Sequence, residues 1–409
     1  SPRIVSAERG AEGRPVANTE QVVQPGSPGQ DLTLTIDASL QVAVEQELLA
    51  AWMADRAKRV SAVVMDPYTG EIYAYASNPA YDANDFRAIA SASPDRFMDP
   101  IASGVYEPGS VFKMVTATAA FTNHSATPTT RVVDSGTLRL DGGRTHVDDA
   151  DHKANGSMQF QDAVAYSRNV AAAKIALALG RSTKTSASIL FKTWQKLGFG
   201  TKTGIDVAGE VPGLVRDPAI VPWRQIDIAN GAFGQGVAVT PIQLVQAYGA
   251  MMNGGMLVRP HVVKAIGNKE IEPTVAGRVV SPGQSQQLTG LLRHVIDTVP
   301  FYHDRTVVPG YEVGGKTGTA QIWDAKHGRW KINLFNYSFV GYIARQAGRP
   351  DLVVAVRVEE GTPTTIRTGL LEMPVMSFEL FRRIAHDAIT TPDLVPNRRY
   401  EPIFATPDR

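Results

Sequence analysis

The sequence predicts an α/β chain of the α+β type, with helices packed on a sheet, and three stretches carry that prediction. Residues 61–77 read as a β-hairpin, two strand-like runs on either side of Pro67-Tyr68-Thr69-Gly70. Residues 111–121 and 170–179 are rich in Ala and aliphatic side chains with few charges, the composition of buried helices. The last third returns to strand-like runs before a closing helix. At 409 residues the chain exceeds a typical single core, so one large domain with an appendage, or two domains, is expected.

Residues 1–30 carry Gly10, Gly13, Pro15, Pro25, Gly26 and Pro28 and read as an extended arm or the remnant of a preceding module. Leu32, Leu34 and Ile36 then alternate with polar residues as a short strand. Asp37 is placed to cap a helix with Leu40, Val44, Leu48 and Ala51 on one face. After the hairpin and the two apolar helices, 240–252 reads as another helix, with Pro241 tolerated in its first turn and Gly254-Gly255 as its stop. Strands are expected at 316–322, 335–343 and 352–358, and a helix at about 376–389. A main domain over 31–390 leaves 391–409 as a tail.

Composition excludes several classes of function. A net charge of +1 without a basic block argues against nucleic acid as partner. The absence of cysteine rules out disulfides, a thiol nucleophile and a zinc-thiolate site, and is compatible with an oxidising compartment. No apolar run approaches the ~20 residues that span a bilayer, and no signal peptide is visible. The chain opens at Ser1 rather than Met, which suggests an excised fragment whose anchor lies upstream.

Three short motifs then describe the parts of one nucleophilic site. In Ser110-Val111-Phe112-Lys113 the three-residue step puts Lys113 one helical turn from the Ser110 hydroxyl. Pro108-Gly109 sets a turn ahead of them, and a helix N-terminus favours developing negative charge. Lys113 acts as a base only if burial and neighbouring positive charge lower its pKa, and Val111, Phe112, Met114 and Val115 make it apolar enough. Standing alone, SxxK reads as a helix cap beside a surface lysine, since such a tetrapeptide arises by chance about once in a chain of this length. In Ser167-Arg168-Asn169 a hydroxyl could relay a proton and an amide could hold Lys113 or a substrate carbonyl; standing alone, it reads as an N-cap. Lys316-Thr317-Gly318-Thr319, after Gly314-Gly315, forms a small-residue strand that a ligand backbone could join, with Gly318 allowing close approach. Lys316 offers a charge for a carboxylate or for Ser167, and the Thr319 amide could pair with that of Ser110 around an oxyanion. Simple alternation puts Lys316 opposite Thr317 and Thr319, so a twisted edge strand is expected to relax there.

With these motifs in order, the chain resembles the transpeptidase domain of a class B penicillin-binding protein from about residue 31 to 389. The resemblance extends to Leu32-Thr33-Leu34-Thr35-Ile36-Asp37, to Met65-Asp66-Pro67-Tyr68-Thr69-Gly70-Glu71-Ile72 and to Tyr106-Glu107-Pro108-Gly109. It also takes in Phe233-Gly234-Gln235-Gly236, Thr240-Pro241 and Asn253-Gly254-Gly255. It implies the penicillin-binding and serine β-lactamase fold: a five-stranded antiparallel sheet covered by helices, an all-helical subdomain, and a site in the cleft between them.

The same resemblance implies roles. Ser110 would be acylated by a peptidoglycan stem peptide ending in D-Ala-D-Ala, with Lys113 as base, Ser167 as proton relay and Asn169 orienting Lys113 and the donor amide. Lys316, Thr317, Gly318 and Thr319 would hold the donor and complete the oxyanion hole, and an amine of a second stem would take the acyl group. It further implies trapping of Ser110 by β-lactams, a membrane anchor missing from this chain, a place on the outer face of the bacterial cytoplasmic membrane, and a SEDS-family glycan polymerase as partner. No cofactor is expected. A D,D-carboxypeptidase or β-lactamase of the same fold, or a non-catalytic β-lactam sensor, would share the motifs. Two features depart from the family: only about thirty residues precede the first strand, and Arg168 occupies a position where the family more often has a small residue. An Arg168 turned away from the cleft would be silent, whereas one facing it would add charge beside the acceptor path.

Other features rank lower. His146, Asp148, Asp149, Asp151 and His152 resemble a metal cluster but fit no ligand spacing, so no metal is expected and a solvated loop is the preferred reading. Residues 323–330, with Trp323, Asp324, Lys326, His327, Gly328, Arg329 and Trp330, read as an acceptor-groove wall or a mobile hairpin tip. Phe335, Tyr337, Phe339 and Tyr342 read as sheet residues. Glu210 is the one acid considered for activating water, with a loop-structuring role preferred.

Overall fold

A computed structural model describes residues 4–24, 26, 29–324, 327–363, 365–367 and 370–394. Pro25 and Pro28 of the N-terminal arm, Lys326 and the tail beyond residue 394 lie outside the described residues.

Five strands form the central sheet: β1 (Arg59–Met65), β2 (Ile72–Asn78), β3 (Glu312–Asp324), β4 (Arg329–Ala344) and β5 (Leu352–Gly361). Their order is β3-β4-β5-β1-β2 and every pairing is antiparallel. The hairpin expected at 61–77 is β1–β2, and the three C-terminal strands are longer than their apolar centres suggested. Every residue of β1 is buried. An antiparallel strand that faces water on one side would alternate, so β1 is covered on both faces.

The helices that matter for the site are α1 (Ala38–Asp55), α2 (Lys113–Thr122), α3 (Asn169–Leu177), α4 (Thr183–Lys196), α5 (Gln225–Ala232), α6 (Pro241–Met252), α7 (Pro282–Thr298), α8 (Pro300–Thr306) and α9 (Ser377–Thr390). Helices α1 and α9 pack on each other and on the sheet, as do α6 and α7, giving a helical layer on each face. Asp37 caps α1 as expected, its carboxylate accepting from Leu40 N at 2.8 Å, and Leu40, Val44, Leu48 and Ala51 face the core. Helix α6 is buried along its whole length, with Pro241 in its first turn and Thr240 as its cap. Helices α4, α5, α7 and α8 were not anticipated. Ser281, Pro282 and Gln284 spell a capping box with proline in the first turn, a signal that finds α7.

Two compact units divide the chain. The first comprises the described residues up to Leu34 together with Val263–Glu272. In it Ile4–Ser6 pairs with Gln21–Gln24, and Leu32–Leu34 pairs with Val263–Ile266. The second runs over Thr35–Val262 and onward from Pro273; it holds the five-stranded sheet, all nine labelled helices and the three motifs. In its helical part Phe112 is clamped by Trp194 and Phe199, with ring centroids 5.5 and 4.8 Å away, and Trp194 packs on Trp223 at 5.1 Å. This aromatic cluster fixes the turn that carries Ser110.

Candidate active site

Ser110 stands in a 3₁₀ turn, Gly109–Phe112, that runs directly into α2. Three residues per turn eclipse positions i and i+3, so Lys113 lies over Ser110 more closely than the α-helical spacing anticipated. Gly109 N donates to Gly234 O at 3.1 Å, and the Tyr248 hydroxyl donates to Val111 O at 2.7 Å. Gly109 has φ 61°, and a Cβ there would come within 2.9 Å of the Thr319 carbonyl oxygen, so the turn carrying Ser110 presses against β3.

Lys113 is fully buried, and its side-chain nitrogen has partners on every side. Ser110 Oγ lies at 3.0 Å, Ser167 Oγ at 3.1 Å and Asn169 Oδ1 at 2.7 Å, and the carbonyl of Ser167 is also bonded to it. Asn169 Nδ2 donates to Asp148 O at 3.0 Å, which fixes the amide so that its oxygen faces Lys113. Carbonyl and amide oxygens only accept. A neutral amine therefore spends its two N–H bonds on Ser167 O and Asn169 Oδ1, and its lone pair is left for a hydroxyl proton, with Ser110 Oγ at 3.0 Å and Ser167 Oγ at 3.1 Å in reach. Burial, and after it the charge of Lys316, hold Lys113 far below the usual lysine range; Asp149 opposes this and Arg168 adds to it.

Ser167 has φ 59°, in the left-handed region. That conformation costs a non-glycine residue about 1–3 kcal/mol, and here it turns both the carbonyl and the hydroxyl of Ser167 onto Lys113. Lys316 reaches the same hydroxyl from the other side, Nζ to Oγ 3.1 Å, and also lies 3.3 Å from Thr317 Oγ1. Burial lowers Lys316 to about 7.

Strand β3 is the outermost of the sheet and keeps regular register from Lys316, opposite Val340, to Thr319, opposite Tyr337. The expected relaxation of the strand does not occur. The lysine stem is long enough to bring its nitrogen to the Thr317 hydroxyl without it. Gly318 also differs from expectation. A Cβ there would meet Ser338 Oγ at 2.4 Å and Pro108 O at 2.6 Å, so its bareness admits the turn carrying Ser110 rather than a ligand. Thr319, beside that turn, is exposed.

A model of the penicillin-binding protein transpeptidase domain matches residues 60–373. The chain belongs to the penicillin-binding protein transpeptidase family. It is 32% identical to stage V sporulation protein D of Bacillus subtilis over 377 residues, 90% of this chain and 55% of that protein. It is 28% identical to the penicillin-binding protein PbpB of Mycobacterium tuberculosis, over 87% of this chain and 52% of that one. Peptidoglycan D,D-transpeptidase FtsI of Escherichia coli is 28% identical over 89% of this chain and 58% of its own length. The chain thus spans a little over half of these relatives. Among solved structures, penicillin-binding protein 3 of M. tuberculosis complexed with aztreonam superposes with a TM-score of 0.77 at 28% identity, covering 93% of this chain and 86% of that one. The transpeptidase domain of Burkholderia pseudomallei penicillin-binding protein 3 gives 0.73 at 28%, over 91% and 100%.

Within this penicillin-binding transpeptidase domain Arg168 turns away from Lys113. It is buried and bonded to Asp134 at 2.7 Å, Asp151 at 3.0 Å and Asp149 at 3.4 Å, and to the carbonyl of Lys153. The departure is not silent, because it anchors the loop. The preferred solvated-loop reading of 146–152 is corrected at Asp149, which is 1% exposed and accepts from the first two amides of α3, Asn169 N and Val170 N. Arg168, the capping residue itself, makes no such bond. Burial, with Asp134 alongside, pushes Asp149 up to about 6. Replacing Arg168 by leucine leaves Asp134 and Asp149 buried without a countercharge. A loss of about 3–5 kcal/mol in urea unfolding is expected, and a change below ~1 kcal/mol would contradict the anchoring role.

Glu210 is committed to its own loop, accepting from Thr203 N and Oγ1 at 2.6 Å and from Gly204 N at 3.0 Å. Trp323 and Trp330 pack edge-on at 5.2 Å near the tip of the β3–β4 hairpin, and Tyr337, Phe339 and Tyr342 are buried sheet residues. Sequence reasoning missed Asp134 and also Tyr302, whose hydroxyl lies 3.3 Å from Thr317 Oγ1. Neither stands in a pattern that could have marked it.

Proposed function

We propose that this chain is a peptidoglycan D,D-transpeptidase acting through an acyl-serine, and one observation carries the reading. The side-chain nitrogen of the fully buried Lys113, held far below the usual lysine range, lies 3.0 Å from the Ser110 hydroxyl. Ser110 Oγ attacks the carbonyl carbon of the penultimate residue in a stem peptide ending in D-Ala-D-Ala, and Lys113 takes its proton. The backbone amides of Ser110 and Thr319 hold the oxyanion. The carbon–nitrogen bond then breaks, and the departing D-alanine nitrogen receives the proton through the Ser167 hydroxyl, which touches both lysines. An amine of a second stem attacks the ester, its proton returns along the same path, and Ser110 is released.

A β-lactam opened by Ser110 would remain as the ester. The commitment of both Glu210 oxygens to loop amides and a threonine supports an amine, rather than activated water, as the acyl acceptor. The printed names of relatives as peptidoglycan D,D-transpeptidases support the substrate class. On this reading the chain works on the outer face of the cytoplasmic membrane. It would be held there by an anchor outside this sequence and supplied with glycan by a SEDS-family polymerase.

The test supplies a D-Ala-D-Ala-ended donor with an amine acceptor and measures free D-alanine and amide product by mass spectrometry. Amide product exceeding hydrolysed donor is expected; hydrolysis alone, unchanged by acceptor, would assign a carboxypeptidase.

A pH profile follows from the two lysines. The base must be neutral, and Lys113 is held far below its ordinary value, so acylation at saturating penicillin is expected to persist at neutral pH and fall on acidification. Lys316 must be charged to draw in an anion, and it loses its proton at about 7. The second-order rate constant should therefore also fall on the alkaline side while the saturated rate does not. Stopped-flow acylation across about pH 5 to 10 checks both limbs; an activity that climbs steadily towards pH 10 would mean an unshifted lysine.

A further inference from the structure

Helix α3 begins at Asn169 without a capping side chain of its own. Its capping residue, Arg168, makes no side-chain bond to the first turn, and that turn holds no acidic residue. The amides that open a helix have no partner inside it, so an acceptor must come from elsewhere. It comes from the 146–152 loop, where Asp149 Oδ1 accepts from Asn169 N and, at 3.2 Å, from Val170 N. The preceding residue holds the other end of the asparagine, Asp148 O accepting from Asn169 Nδ2 at 3.0 Å. Two consecutive residues thus grip the main chain and the side chain of Asn169.

That grip is itself held, and it leads to the base. Asp148 pairs with Thr137 in a two-stranded ladder, Asp149 N donates to Gly136 O at 2.9 Å, and Asp149 is 1% exposed. Each donor in the grip is an N–H and each acceptor a carbonyl or carboxyl oxygen, so the direction of every bond is fixed. On its free side Asn169 Oδ1 accepts from Lys113 Nζ at 2.7 Å, and that nitrogen lies 3.0 Å from Ser110 Oγ. Asp149 bonds to neither Lys113 nor Ser110 among the bonds described, so its path to them runs through Asn169.

We propose that Asp149 is a positioning residue for acylation: its carboxyl oxygen, bonded to the first two amides of α3, holds Asn169 so that the asparagine oxygen keeps the Lys113 nitrogen against Ser110. The inference rests on the acylation reading above.

Acylation of the full chain by benzylpenicillin is followed to saturation, with thermal unfolding recorded for every variant. Asp149→Ala removes the acceptor. The saturated rate is expected to fall about ten- to a hundredfold, the scale of a ~1 Å misplacement, while the dissociation constant stays within about threefold. Asp149→Asn keeps an oxygen for the two amides and should return the rate to within about fivefold of the parent. Asp151→Asn weakens the same loop's hold on Arg168 without touching Asn169, and should leave the rate unchanged. Once Asn169 is alanine, Asp149→Ala should cost less than about threefold more. If Asp149→Ala does not fold, Asp149→Glu is read in its place, since it keeps a charge for Arg168 and displaces the acceptor by one methylene. A parent-like rate in the folded variant, an Asp149→Asn as slow as it, an equal loss in Asp151→Asn, or additive effects with Asn169→Ala would each overturn the inference alone. Absence of any Ser110 adduct in the parent protein would overturn the acylation reading and this inference with it.

Discussion

Ser110→Ala is expected to form no covalent adduct with a penicillin, whereas the parent chain gains a single one that persists for many minutes in intact-mass spectrometry. The expectation rests on the geometry of the nucleophile turn. Ser110 Oγ is the one hydroxyl facing Lys113 that stands on the turn packed against the Thr319 carbonyl, so its loss removes the attacking atom and leaves the rest of the site intact. Folding should be unaffected, because the turn is held by Phe112, Gly109 N and the Val111 carbonyl rather than by the Ser110 side chain. An adduct surviving on the alanine variant would place the nucleophile elsewhere, with Ser167 the first alternative. An adduct on the parent that forms and clears with drug turnover would move the reading to a β-lactamase.

Lys113→Met carries the second-largest expected effect, a fall of about 10²–10⁴-fold in the saturated acylation rate, the range that a positioned general base contributes. Methionine keeps an unbranched side chain in a fully buried slot and removes the amine that lies 3.0 Å from Ser110 Oγ. Ser167 O and Asn169 Oδ1 lose their donor, so some stability is lost, and thermal unfolding should be measured alongside. A rate within tenfold of the parent would assign the base to another group. Lys316 is the only other amine within reach of the Ser167 hydroxyl among the bonds described.

What could be read from the sequence was set by chemistry that ties residue type to spacing. Ser110 and Lys113 are three apart because an eclipsed turn must superpose them. Lys316 lies on a strand whose neighbours must be small, and Asp37 could be assigned from the step to the amide it caps. The sheet was legible where apolar runs are strong, as in 352–358, and the helix at 240–252 was marked by Thr240-Pro241. The remainder depends on contacts across long separations that leave no local period. Arg168 reaches Asp134, and Tyr302 finds Thr317 only because α8 packs on α9. The loop at 146–152 looked solvated because it is polar, yet Asp149 is consumed by two amides of α3 and by Arg168. Gly318 misled in the same way: its spacing suggested ligand access, but the chain's own Pro108 fills that space.

The position of β3 at the rim of the sheet has a consequence for how the purified protein behaves. Its outer side pairs with no strand among the described residues, so the strand keeps an edge without a strand partner beside Ser110. Such a rim is a template for association with any extended chain, including another copy. If the proposed donor docks as an added strand, docking and self-association compete for the same edge. An occupied cleft should be the more soluble state, and concentrated apo protein the one most prone to self-association.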